Sequence, residues 1–213
     1  MDLTHPVHAV VPTLDGPVLE VLARTTRPLT GREVHRLASR GSPNGIRLAL
    51  ARLAEQGVVN TEERSTAVYY TANRDHLAWP AVETLTSLRR NLLERLRTEL
   101  GSWQCAAIHA SLFGSAARGD GDAASDIDVL LVRPDSVGEE DASWAEQVDR
   151  LRRHVAVWTG NRCHAFQVDR QRLAEHAEAG DPLIDSWLRD AIPLTGADLR
   201  HTLQNLRATG TER

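Results

Sequence analysis

Gly114 and Ser115 stand ten residues ahead of the triplet Asp126-Ile127-Asp128. Around them the chain reads Leu112-Phe113-Gly114-Ser115-Ala116-Ala117-Arg118-Gly119-Asp120, then Ser125-Asp126-Ile127-Asp128-Val129-Leu130-Leu131-Val132. That order predicts a strand, a tight turn, a short helix, a loop and a second strand. Side chains alternate between the faces of a strand, so Asp126, Asp128, Leu130 and Val132 share one. Two carboxylates about 7 Å apart on one strand face can grip the same hard cations. A turn and helix start just ahead of them can offer backbone N–H groups to a phosphate. These residue types at this spacing point to metal-held phosphate chemistry.

The run Phe113-Gly114-Ser115-Ala116-Ala117-Arg118-Gly119, followed by Ser125-Asp126-Ile127-Asp128, resembles the signature of the polymerase-β-type nucleotidyltransferase superfamily, especially its minimal bacterial members. The resemblance implies that the Gly-Ser turn holds the terminal phosphates of a nucleotide such as ATP. Gly114 would allow close backbone approach, and Ser115 would supply a hydroxyl and an amide. Arg118 would neutralise a phosphate oxygen, or else pair with Asp120 or Asp122. Asp126 and Asp128 would ligate two Mg²⁺ ions that align the α-phosphate, activate an attacking hydroxyl and stabilise the leaving pyrophosphate. The resemblance also implies a third carboxylate from the neighbouring strand, serving as general base.

That strand is expected at Arg162-Cys163-His164-Ala165-Phe166-Gln167-Val168, where alternation puts His164, not an acid, at the site-facing position. Asp169 is the nearest carboxylate. Either His164 takes the base or ligand role, or Asp169 reaches in, or the site has lost turnover; a histidine tuned near neutrality can serve as base. Blander readings stand beside these. Ser115 can simply cap a helix, Asp126 a turn, and Asp128 and His164 can be ordinary strand residues. A rival metal site fails: Asp120-Gly121-Asp122 looks like the start of an EF-hand, but Ala124 and Leu131 fall where that loop needs ligands.

The elements that must position these residues lie in a chain of 213 residues, net charge −4, long enough for one large domain or two small ones. All of the Lys+Arg count is arginine. A Walker-type phosphate loop and Schiff-base chemistry are therefore excluded, since both need lysine. No apolar run reaches the roughly 20 residues of a membrane span, and no secretory signal is evident. Cys105 and Cys163 fall in apolar segments and read as buried thiols of a cytoplasmic protein.

The fold class expected is α+β: an N-terminal winged helix-turn-helix over 1–78, a long linking helix over 79–100, and a nucleotidyltransferase fold over 101–213 with a mixed sheet flanked by helices. Residues 1–12 lack periodicity and read as a mobile arm or a dimer-swapped segment. A helix runs from Pro17 to Arg24. Thr30 and Glu33 form a capping box for the next helix, with Val34 and Leu37 inward. Ser42-Pro43 opens a third helix whose apolar stripe is Ile46, Ala49, Leu50 and Leu53, and Gly57 stops it. Val58-Val59, a polar tip at Glu62-Glu63-Arg64-Ser65, and Ala67-Val68-Tyr69-Tyr70 read as a hairpin. Leu85, Leu88, Leu92, Leu96 and Leu100 mark one amphipathic helix over 80–100. Then come a strand at Cys105–Phe113, a helix at Glu139–Val157 with Trp144, Val148, Leu151 and Val155 inward, and helices near Gln171–Ala179 and Pro182–Ala191. Arg150, Arg152 and Arg153 read as a solvated face, and residues 205–213 as frayed.

Three helices followed by a two-stranded wing look like bacterial winged-helix regulators. The helix from Pro43 would then be the recognition helix, with Ser42, Asn44 and Arg47 toward the major groove of double-stranded DNA and Arg64 on the wing. Nine arginines against eight acidic residues in 1–78 give no strong basic patch, so a protein-interaction or dimerisation module is the competing reading. Two functions follow. One is an Mg²⁺-dependent transferase moving AMP from ATP to a hydroxyl of a protein, small molecule or RNA; the other is a transcriptional regulator with a nucleotide-sensing or catalytically degenerate domain.

Overall fold

The computed structural model describes residues 1–65 and 67–210. The chain divides into two compact units, one of residues 5–90 and one that joins residues 1–4 to residue 91 onward.

In the unit of residues 5–90, a single 3-10 turn at Pro6–Ala9 precedes α1 (Asp15–Ala23), β1 (Leu29–Thr30), α2 (Gly31–Ala38), α3 (Pro43–Glu55), β2 (Val59–Arg64), β3 (Ala67–Ala72) and α4 (Trp79–Thr86). β3 is the middle strand of an antiparallel sheet ordered β1-β3-β2. The expected capping box is present: Glu33 N–H donates to Thr30 Oγ1, and Thr30 N–H donates to Glu33 Oε2 at 2.8 Å. The bond from Thr30 N–H, with Thr30 Oγ–H and Arg27, pulls the Glu33 carboxyl down from 4.5 to about 2. That contribution is complete above the ordinary glutamate range and fades as pH falls through it toward about 2. Thr30→Ala is expected to destabilise this unit by about 1 kcal/mol, measured by denaturant unfolding.

Ile46, Ala49, Leu50 and Leu53 are buried as their spacing predicts. Leu37 is not: it is 51% exposed, and Val34 with Ala38 one turn later form the inward stripe of α2. Trp79 and Val82 of α4 complete this core. The single helix expected over 80–100 is two, α4 and α5 (Leu88–Gly101), parted at Ser87. The hydroxyls of Thr84 and Thr86 donate back to the carbonyls of Pro80 and Val82. Such back-bonding competes with the helical ladder and weakens it locally.

The other unit contains most of α5, then β4 (His109–Phe113), α6 (Gly114–Arg118), β5 (Ile127–Val132), α7 (Ala142–Thr159), β6 (Cys163–Val168), α8 (Arg170–Glu178), α9 (Pro182–Asp190), β7 (Ile192–Gly196) and α10 (Leu199–Gly210). Its sheet is mixed, ordered β6-β5-β4-β7, with β5 and β6 parallel and the other pairs antiparallel. β5 is covered on both faces. Ile127, Val129 and Leu131 pack with Leu92, Leu96 and Leu100 of α5 and with Trp144, Val148, Leu151 and Val155 of α7. Leu130 and Val132 pack on the opposite side with Leu173, Ile184, Trp187 and Leu199 from α8, α9 and α10. Helices thus cover both faces of the sheet, an α+β arrangement that fits a nucleotidyltransferase fold.

Several expectations are corrected here. β4 is shorter than Cys105–Phe113, because the backbone N–H groups of Gln104 and Cys105 donate to the Gln147 side chain instead of a strand partner. α7 starts at Ala142 because Asp141 caps it, accepting from Trp144 N–H. β7 was not legible: Pro193 and Gly196 are turn signals, and a proline is tolerated in a short strand at the edge of a sheet. α10 continues helical past residue 205, and the rest of the expected fraying, at 211–213, lies outside the described residues. The first four residues are no loose arm. Leu3 is buried in the core of α5, α7 and the sheet, and the Met1 amino group donates to Thr159 O at 2.9 Å. Arg150 is not simply solvated either; its Nε donates to the buried Glu99 carboxylate at 2.8 Å. Both cysteines are free thiols, Cys105 half-buried and Cys163 buried. Among the described residues no helix is long and apolar enough to cross a membrane.

Candidate active site

The site forms where β4 ends and β5 begins. In the antiparallel register Phe113 lies opposite Asp128, so the turn at Gly114 comes back directly over the Asp128 carboxylate. Gly114 has φ +68°, and a Cβ there would sit 2.5 Å from Asp128 Oδ2. Only a residue without a side chain allows both that backbone conformation and that approach. α6 follows at once and is closed by Gly119 at φ +75°, whose N–H donates to Ser115 O. The half-buried Ser115 is covered by Gly121, where a Cβ would sit 2.9 Å from Ser115 Oγ.

Asp126 is exposed just ahead of β5, and Asp128 is half-buried one pleat on. Burial pushes the Asp128 carboxyl above its ordinary value, and the nearby Asp126 charge adds to this, while His164 and Arg118 pull the other way. β5 and β6 run parallel with Asp128 beside His164, and His164 Nδ1 lies 3.5 Å from Asp128 Oδ1. The structure therefore brings Gly114, Ser115, Asp126, Asp128 and His164 together. Arg118 is nearby but occupied: its Nε donates to Asp120 Oδ2 at 2.9 Å. Asp122 is engaged in a local turn, accepting from Ser125 Oγ–H and Ala124 N–H.

Asp169 is not part of this group. Val132 pairs with Val168, so Asp169 follows the opposite end of the strand pair from Asp128 and His164. There it caps α8 by accepting from Arg172 N–H at 2.8 Å, and it faces Arg133 at 3.4 Å. Cys163, on the other face of β6 from His164, has its thiol pushed up to about 12 by burial, which leaves it unreactive.

Among the described residues no group of three or more His, Cys, Asp or Glu side chains is arranged to hold a metal. The donor set nonetheless fits Mg²⁺, which is commonly bound through one or two carboxylates plus substrate phosphates and water, not in an all-protein cage. Asp126 and Asp128 would hold it, with the turn at Gly114 and Ser115 beside them to receive phosphate.

Sequence reasoning missed two side chains that build the site's floor. Asn161 just precedes the expected strand and carries no signal of its own; buried, it donates to Ala123 O at 3.3 Å and Ser125 O at 2.9 Å, just ahead of Asp126. Thr4 lay in a segment with no pattern; its hydroxyl is 2.8 Å from both Gly119 O and Gly121 O. Neither contact has a local sequence signal, because each spans more than 35 positions. A cavity of about 580 Å³ on the same unit, lined by Arg95, Glu99, His154 and Trp158, holds none of the expected site residues.

The residues expected to face DNA lie in the unit of residues 5–90. Ser42 caps α3, accepting from Gly45 N–H. Asn44 Oδ1 accepts from Arg47 Nε and Nη2 at 3.3 and 3.0 Å. Asn44 and Arg47 line a groove of about 1050 Å³ with Arg32, His35, Val68 and Tyr70. Arg64 is not in it; Glu62 holds its guanidinium by two hydrogen bonds, above the Tyr69 ring.

A strand, a glycine turn and a second strand with two carboxylates at its start lie within a mixed sheet covered by helices. Residues 89–179 match the family model described as a nucleotidyltransferase domain, which supports nucleotidyl transfer. Similar solved structures include a toxin–antitoxin with AMP-PNP, at 13% identity and TM-score 0.37, covering 56% of this chain and 87% of that one. A mutant of the toxin–antitoxin MntA–HpeT is 16% identical with TM-score 0.35, covering 58% and 86%. A human N-acetylserotonin methyltransferase with SAM is 17% identical with TM-score 0.28, covering 46% and 31%. No curated protein matches the chain.

Proposed function

We propose that the unit carrying β4–β7 binds ATP through Mg²⁺ and transfers its AMP moiety to a hydroxyl of a protein, a small molecule or an RNA end, breaking the bond between the α- and β-phosphates and releasing pyrophosphate. The observation that carries this reading is Gly114, held at positive φ directly against Asp128. In this reading the backbone that would take phosphate lies against the carboxylate that would take the metal. In this reading bound Mg²⁺ supplies charge neutralisation at the phosphates. The chain's own residues do the rest. The turn amides at Gly114 and Ser115 orient the terminal phosphates, Asp126 and Asp128 fix where the reacting phosphate sits, and His164 accepts the proton of the incoming hydroxyl. The test is incubation of purified protein with Mg²⁺ and ATP labelled at the α-phosphate. Label on the protein or a co-purifying macromolecule supports transfer; neither label nor nucleotide binding would sink it. A second reading, a nucleotide sensor without turnover, is favoured by one observation: the position beside Asp128 on β6 holds a histidine in place of an acid.

We further infer that the helices α1–α3 and the sheet β1-β3-β2 form a winged helix that docks double-stranded DNA along the groove containing Asn44 and Arg47. The cap at Ser42 aims the first turn of α3 into that groove, and Arg64 on the wing serves phosphate. Arg47→Ala is expected to cost about 1–3 kcal/mol if Arg47 meets a base and less if it meets phosphate. Affinity should fall steeply with salt. A gel-shift series at two salt concentrations against the upstream region of its own gene measures both. Failure to bind at low salt would assign this unit to protein interaction or dimerisation.

A further inference from the structure

We propose that Asn161 and Thr4 are positioning residues that fix the loop between the Gly114–Ser115 turn and Asp126, and so set how tightly the site takes a metal-bound nucleotide. The inference rests on the nucleotide reading above. The loop is irregular from Gly119 to Ser125, yet it must hold Asp126 in register with Asp128 and Ser115. Its alternate carbonyls are each engaged from outside the loop. Thr4 Oγ1–H reaches Gly119 O and Gly121 O, both at 2.8 Å, sharing one proton between two acceptors. Asn161 Nδ2 supplies one proton each to Ala123 O at 3.3 Å and Ser125 O at 2.9 Å. Two side chains thereby tie the carbonyls of residues 119, 121, 123 and 125.

Both tethers are themselves anchored. Asn161 is 4% exposed, its N–H donates to Thr159 Oγ1 at 3.0 Å, and its Oδ1 accepts from the Met1 amino group. Thr4 N–H donates to Asp2 Oδ1 at 2.8 Å, and the adjacent Leu3 is buried. The local Asp122–Ser125 turn stiffens the loop but does not attach it to the rest of the unit. The outside tethers attach it beyond its first residues, where Gly119 and Asp120 N–H donate to Ser115 O, and a binding constellation tolerates about 0.5 Å of play.

The experiment titrates the full-length protein with ATP by calorimetry over a series of Mg²⁺ concentrations, alongside hydrogen exchange of the loop amides without nucleotide or Mg²⁺. The variants are Asn161→Ala, Thr4→Val and Thr4→Ser. Asn161→Ala and Thr4→Val are expected to speed exchange at residues 119–126. They should also raise the Mg²⁺ concentration for half-maximal ATP binding about 10-fold or more. Thr4→Ser, which keeps the hydroxyl, should restore both. If Asn161→Ala does not fold, the Thr4 pair decides alone. An unchanged Mg²⁺ midpoint in Thr4→Val, with wild-type protein binding ATP normally, overturns the positioning role. Wild-type protein that binds no ATP while the variants still loosen the loop overturns the nucleotide reading instead.

Discussion

Asp126→Asn combined with Asp128→Asn is expected to abolish Mg²⁺-dependent ATP binding while leaving the unit folded. The substitutions keep the size of both side chains and remove only the charge that a hard cation needs. Asp126 is exposed and Asp128 half-buried, so neither fills the core. The stability effect has a definite sign. Burial raises the Asp128 carboxyl above its ordinary value. The folded state therefore favours its neutral form, and that stabilisation is complete below the unfolded pKa and lost as pH rises through the raised folded one. At neutral pH the ionised carboxylate is a burden on the metal-free fold, and the Asn pair should melt at the same temperature or slightly above wild type. Calorimetry with ATP and Mg²⁺, together with a melting curve, decides the matter. Equal ATP affinity in the two proteins would remove both aspartates from the site. Lost binding accompanied by a collapsed melting temperature would mean they support the fold instead.

The trio of turn, short helix and carboxylate strand was legible from sequence because its signals are local. Gly114 at a turn, the alternation Asp126–Asp128–Leu130–Val132 and the apolar stripe of α7 each follow from neighbours a few residues apart. The structure places them accordingly. The capping residues Thr30 and Ser42 were legible for the same reason. What escaped was long-range. The packing of residues 1–4 on α7 and the Gly119–Ser125 loop depends on partners more than 100 positions away. Glu99 of the leucine-striped α5 is buried by Arg150 and His154 of α7, a pairing that helical periodicity cannot show. The break at Ser87 depends on threonine hydroxyls turning back on the helix, a choice the leucine spacing does not register. The sequence left Asp169 and His164 side by side, and only the strand register separates them. Asp169 adjoins His164 in sequence terms, yet five residues of strand carry it to the other end of the sheet, about 16 Å away.

That geometry leaves His164 as the group to test for proton transfer. Its side chain is 59% exposed, so solvent and an incoming acceptor can reach it, and Nδ1 lies at ion-pair distance from Asp128. An imidazole there can take the acceptor's proton, and the adjacent carboxylate stabilises the imidazolium that forms. His164→Ala is accordingly expected to slow single-turnover transfer by roughly 10²–10⁴ while ATP still binds. Asp169→Asn should leave the rate in place, since this carboxylate caps α8 far from the reacting groups; asparagine still caps, but the charge opposite the buried Arg133 is lost, which should lower the melting temperature instead. Quench-flow measurement with the three proteins separates the outcomes. Full transfer in His164→Ala would reduce His164 to a strand residue and return the base to the acceptor or to water. Nucleotide binding without transfer, in wild type as in the variant, would make this unit a sensor: two carboxylates suffice to hold Mg²⁺ and ATP, and nothing beside them then removes a proton.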